Sequence, residues 1–117
     1  MDDVDVYNTA VGYLAGGAVT TGTLNTFVGG LAGDALTVGG SNVSLGYFSL
    51  TADTKGSKSV AVGTAALGDQ NFTSATDAFN VAIGQEAGRS VTTGTLNTLI
   101  GGLAGDATTT GTGNTAI

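Results

Sequence analysis

Aliphatic side chains recur along this chain at one spacing. Val11, Val28, Leu45, Val62, Ile83, Ile100 and Ile117 each stand fourth in a unit opening at Asn8, Asn25, Asn42, Ser59, Asn80, Asn97 or Asn114. The second position of the same units holds Thr9, Thr26, Val43, Val60, Val81, Thr98 and Thr115, all β-branched. Residues two apart share a face in an extended chain, and β-branched side chains favour that pleated surface. The i, i+3, i+7 spacing of a helix is missing. Each unit is therefore predicted to open with a short strand, with Val11, Val28, Leu45, Val62, Ile83 and Ile100 as its core residues. The third position (Ala10, Phe27, Ser44, Ala61, Ala82, Leu99, Ala116) points the other way. It is expected on the outer face, as a second packed layer or a subunit interface.

The unit starts are separated by 17, 17, 17, 21, 17 and 17 residues, so the chain is a tandem repeat with four extra residues in its fourth unit. Residues 19–35 return at 91–107 with only Phe27 replaced by Leu99 and Val28 by Ile100. Such self-similarity marks a repeat architecture. Residues 1–7 read as a lead-in or partial coil, and residues 8–117 as the repeat region. The fifth position is Gly12, Gly29, Gly46, Gly63, Gly84 and Gly101, which suggests a turn with positive φ or close packing between coils. A weaker second strand is expected around the seventh and eighth positions, and the Thr-Thr-Gly-Thr stretch closes the coil. Two short strands and two turns per unit predict an all-β solenoid of 17-residue coils with parallel strands at ~4.8 Å spacing. Asn8, Asn25, Asn42, Asn80, Asn97 and Asn114 then form a column able to pass amide hydrogen bonds from coil to coil, as a structural ladder. The extra residues of unit four, about 69–79, are expected to bulge from one edge. Their Asp69, Gln70, Asn71, Phe72, Asp77 and Phe79 are the candidate contact loop, since solenoid insertions map to one face, often the working one.

Composition narrows the function. Gly is abundant, at 21 residues, while Pro is absent, but 41% hydrophobic content at fixed positions argues against disorder. The net charge of −6 speaks against a nucleic-acid or anionic-membrane partner. No apolar run of ~18 residues could form a membrane helix. The acidic start, Met1 to Asp5, lacks the positive region of a signal peptide. The repeat breaks off at Ile117, where other units continue with Gly, so a segment of a longer molecule is expected. Without Cys there is no disulfide framework or thiolate metal site, and no cofactor is expected.

The cores Asn8-Thr-Ala-Val-Gly12, Ser59-Val-Ala-Val-Gly63 and Asn80-Val-Ala-Ile-Gly84, each followed by a small residue at the eighth position, resemble the head repeats of trimeric autotransporter adhesins. With their Asn-Thr and Thr-Thr-Gly flavour they also resemble repeats of bacteriophage tail fibres. The resemblance covers about residues 8–117. It implies a left-handed parallel β-roll, three of which pack about a threefold axis into a homotrimeric rod. The 17-residue period is longer than that of the adhesin heads. The function implied is a structural and adhesive segment of a virion or cell-surface fibre, partnered by itself and by a host-surface glycan or protein receptor. A phage tail fibre is favoured, with the head of a bacterial adhesin as the alternative.

Other chemistries fit less well. A glycan-degrading tailspike needs two carboxylates at a set separation. Asp34 and Asp106 occupy equivalent positions four coils apart, ~19 Å at the strand spacing, and nothing in the sequence pins Asp69 to Asp77. Without His or Cys the usual nucleophilic triads are unavailable, so no enzyme is expected. Gly29 to Thr37 comes close to a calcium β-roll nonapeptide, but it does not recur every nine residues, and one Asp every few coils cannot supply six to eight oxygens. The Thr20, Thr37, Thr54, Thr92 and Thr109 column suggests an ice-binding array. It lies in a turn, where Thr more often caps exposed backbone.

Overall fold

The computed structural model describes residues 6–117, and the acidic start, Met1–Asp5, lies outside the described residues. Among the described residues nine short strands form: β1 (Thr9–Val11), β2 (Thr26–Val28), β3 (Val43–Leu45), β4 (Gly56–Ser57), β5 (Val60–Val62), β6 (Thr76–Asp77), β7 (Val81–Ile83), β8 (Thr98–Ile100) and β9 (Thr115–Ala116). Seven make one parallel sheet in the order β1-β2-β3-β5-β7-β8-β9, while β4 and β6 pair separately. Thr9 pairs with Thr26, Thr26 with Val43 and Val43 with Val60, each one repeat on; Val60 pairs with Val81 across the insertion. The chain is a parallel β-solenoid of about six coils.

The second strand expected around the seventh and eighth positions is a turn instead. Leu14, Leu31, Phe48, Ala65, Glu86 and Leu103 all take left-handed backbone there, with φ between 53° and 61°. Side chains reach that region at a cost of ~1–2 kcal/mol per residue, so stacking must hold it. Leu31 N–H donates to Tyr13 O, Ala65 N–H to Tyr47 O and Glu86 N–H to Thr64 O, each one coil back. Even the turns are thus hydrogen-bonded from coil to coil.

The interior is reversed from the sequence expectation. Phe27, Ser44, Ala61, Ala82 and Leu99, all third-position residues, are buried. The expected core residues point outward: Val11 is 58% exposed, Val28 39%, Ile83 39% and Ile100 37%, with Leu45 and Val62 half-buried. The reason lies at the first position. Its Asn must face inward to reach the turn of its own coil, and strand alternation then takes the third position inside with it. An outer third-position interface is therefore ruled out.

Inside the roll, residue sizes compensate. Phe27 lies between Gly16 and Gly33, and Leu99 between Gly88 and Gly105. Where the third position shrinks to Ser44 or Ala61, the ninth becomes Leu50 or Leu67, both fully buried. The fifth-position glycines are required twice over. Gly29 has φ of 132°, and a Cβ on it would fall 2.7 Å from the Gly46 carbonyl carbon.

Candidate functional site

Four features of this scaffold could carry function. The first is the Asn column. Asn25 Nδ2 donates to Gly39 O at 3.0 Å, in the turn of its own coil, while Asn25 Oδ1 accepts the Asn42 N–H at 2.9 Å. Asn8, Asn42, Asn80 and Asn97 bond in the same two directions. The expected amide-to-amide relay is thus mostly a clamp. Each side chain ties its own coil shut and holds the backbone of the next; among the described residues, only Asn114 Nδ2 reaches another Asn of the column, at Asn97 Oδ1.

Ser59 interrupts the column, and buried polar groups repair it. Gln70 donates from Nε2 to Asp53 Oδ2 at 2.6 Å and to Ser59 Oγ at 3.1 Å, and its Oε1 accepts from Asn80 Nδ2 at 2.8 Å. Asp53 Oδ1 also accepts the N–H groups of Gly56 and Phe72. Among the described residues no buried side-chain nitrogen or oxygen lacks a partner. Sequence reading missed Asp53, although an acid at a position that holds Leu36 in coil two and Val91 in coil five was a legible signal.

The second feature is the insertion. Thr54 bonds to Asn71 at the normal repeat spacing, Gly56 pairs with Thr76 three residues beyond it, and Val60 pairs with Val81 four beyond it. Three of the extra residues therefore fall between Asn71 and Thr76 and the fourth between Asp77 and Val81. The six candidate contact residues divide. Gln70 is fully buried in the junction and Phe72 is 5% exposed with its ring inside, so neither can meet a partner. Asp69, Asn71, Asp77 and Phe79 are exposed. Asp77 pairs with Lys58 at 2.7 Å, and the Lys58 ammonium lies 5.1 Å from the Phe79 ring centroid. Asp69 has a different setting, beside Arg89 in the pocket described next.

The third feature is a pocket of about 370 Å³ where coil four is thin. Coil three supplies one wall with Tyr47, Phe48 and Thr51. Coil four supplies Thr64, Ala65, Gly68 and Asp69, and coil five supplies Arg89. The Tyr47 and Phe48 rings meet edge to face, with centroids 4.4 Å apart. Arg89 holds Glu86 at 3.3 Å on the surface.

The fourth feature is the outer face of the seven-stranded sheet. Its second and fourth positions are Thr, Val, Leu or Ile in every coil, and no charged residue occurs at positions one to five of any unit. Leu24 and Leu96, each 58% exposed, extend this apolar surface at its edge.

The Thr column spends its hydroxyls on the scaffold. Thr37 Oγ1 donates to Thr54 O at 2.9 Å, and Thr20 and Thr92 likewise donate to the carbonyl one coil on. Among the described residues no three carboxylate, His or Cys side chains cluster as a metal site, and no helix is long and apolar enough to cross a membrane. Comparison with family models, with curated proteins and with solved structures finds no match.

Proposed function

We propose that the chain is a structural and adhesive segment of a surface fibre, with three copies packed in parallel about a threefold axis. The observation that carries this is the uncharged aliphatic column from Val11 to Ile100 left on the outside of a periodic sheet. A continuous exposed apolar face marks an interaction surface. Its residues repeat once per coil, at ~4.8 Å along the axis. A second and third copy of this chain, in register, present the same period and the same uncharged stripe. The strands are only three residues wide, which suits a narrow seam about a central axis. Left-handed winding of the roll belongs to the same reading.

In the rod the charged residues at positions six and beyond of each coil stand off the seam, and apart from the buried Asp53 those among the described residues are left exposed or half-buried. The exposed edge of coil four is the surface offered to a host receptor. A phage tail fibre is the favoured setting, with a bacterial adhesin head as the alternative; either places the segment on a virion or cell surface. Sedimentation equilibrium at several concentrations tests the assembly. Three times the 11.3 kDa chain mass is expected, whereas a folded monomer at every concentration would sink the proposal.

A further inference from the structure

The coil-four notch has a simple origin. At the seventh position, coil three carries Phe48 and coil five Glu86, but coil four carries Ala65; at the tenth, Thr51 and Arg89 flank Gly68. Two small residues in one coil leave a gap between the side chains of its neighbours. The backbones of coils three and five stand about 9–10 Å apart, twice the strand spacing. One wall is aromatic, from Tyr47 and Phe48, and the other carries Arg89.

Three of the polar groups there are uncommitted, while Arg89 pairs with Glu86 at the rim. Tyr47 Oη, Thr64 Oγ1 and the Asp69 carboxylate make no hydrogen bond within the described residues, whereas Thr51 Oγ1 is already spent on Asp34 Oδ1 at 2.6 Å. Compact apolar pockets with a few convergent polar groups are the usual form of a small-ligand site. The backbone of the notch is paired on both sides, through Ala65 N–H to Tyr47 O and Glu86 N–H to Thr64 O. A peptide strand therefore finds no open sheet edge to extend. Asp69 offsets Arg89 in the lining, and Glu86 already pairs with that guanidinium, so no surplus positive charge is left to draw a phosphate or carboxylate ligand.

We propose that this notch binds a neutral sugar ring, with its C–H face against Tyr47 and Phe48 and its hydroxyls on Asp69, Thr64 and Arg89. A pyranose combines these two surfaces: an apolar face, and an edge that donates to a carboxylate and accepts from a guanidinium. This inference rests on the reading of coil four as the attachment edge and names its ligand class.

The test titrates isotopically labelled protein with methyl glycosides of glucose, galactose, mannose and N-acetylglucosamine, to tens of millimolar, following backbone amides by NMR. Saturable shifts confined to residues 47–51, 64–69 and 89 are expected with at least one of them, and none with glucuronic or sialic acid. Ala65→Phe fills the notch with the residue that Phe48 already carries at that turn, in the same backbone conformation; it should abolish the shifts. Tyr47→Ala and Asp69→Asn, both at exposed positions, should each weaken binding at least tenfold, and they decide the matter if Ala65→Phe does not fold. Silence with all four glycosides, or tighter binding of the acidic sugars, overturns the proposal. The solution mass of the same sample separates the two readings: a trimer with an empty notch refutes the sugar site alone, and a sugar-binding monomer refutes the rod alone.

Discussion

The Phe27 ring occupies the space that Gly33 leaves empty, because any side chain at Gly33 would stand within the van der Waals surface of the ring. Gly16, one coil earlier, completes the cavity, where an added Cβ would fall 2.7 Å from Phe27 Cδ2. In coil three the relation is inverted, with Ser44 at the third position and Leu50 at the ninth, both buried. Phe27→Ala should cost about 3–5 kcal/mol as a large-to-small core change. Adding Gly33→Leu, which recreates the pairing of coil three, should recover part of that loss in a denaturant titration. A double variant no more stable than Phe27→Ala would mean that the two sites do not share one volume.

Asn42 clamps the centre of the stack, bonding Gly56 O at 3.0 Å and the Ser59 N–H at 2.9 Å. Asn42→Ala leaves a buried carbonyl and a buried N–H unpaired, at about 1–3 kcal/mol each. Asn8→Ala at the first coil should cost less, since stability in a stacked repeat is built from neighbour contacts and end coils have fewer. Amide hydrogen exchange should show the Asn42 variant opening across coils three and four, while the Asn8 variant frays only near β1.

Asp53 is buried and accepts three hydrogen bonds, from Gly56 N, Phe72 N and Gln70 Nε2. Removing it as Asp53→Ala strands all three donors, and a loss above about 3 kcal/mol is expected. Limited proteolysis should then cut between Asn71 and Thr76, because the junction no longer holds Phe72 inside. By contrast Lys58→Ala breaks a pair whose side chains are 45% and 52% exposed, and should change stability by less than about 1 kcal/mol.

A carboxylate on the apolar sheet face should abolish assembly without unfolding the coil. Val28 and Ile83 are each 39% exposed on separate strands of that face, so Val28→Asp or Ile83→Asp disturbs no buried contact of the third position. Sedimentation is expected to move from trimer towards monomer, with the β circular dichroism retained. An unchanged trimer in both variants would place the seam elsewhere.

Gly46 has φ of 135°, and a Cβ on it would fall 2.6 Å from Gly63 O. Gly46→Ala should cost about 2 kcal/mol or more from backbone strain alone, with the collision added. Gly101 offers a control, since its nearest neighbour to an added Cβ is Ala104 Cβ at 3.9 Å. Gly101→Ala carries the strain without the collision and should lose less in thermal unfolding.

Period and fold class were legible in the linear chain, because a tandem repeat prints its spacing directly: Asn8, Asn25 and Asn42 recur in step, and strand pairing follows the same step. The insertion and the turn glycines were legible for the same reason. Which face of each strand points inward was decided only in three dimensions. Alternation by two says that Val28 and Phe27 lie on opposite sides, but hydrophobicity alone ranks both as core. The choice fell to Asn25, whose amide has to meet Gly39 O across the coil, a partner fourteen residues away. One signal for it was present, in the trade of size between the third and ninth positions, Phe27 with Gly33 and Ala61 with Leu67. The burial of Gln70 and Phe72, and the notch beside Ala65, depend on neighbouring coils lying ~4.8 Å apart. A column of side chains becomes a wall, a clamp or a gap only once the coils are stacked.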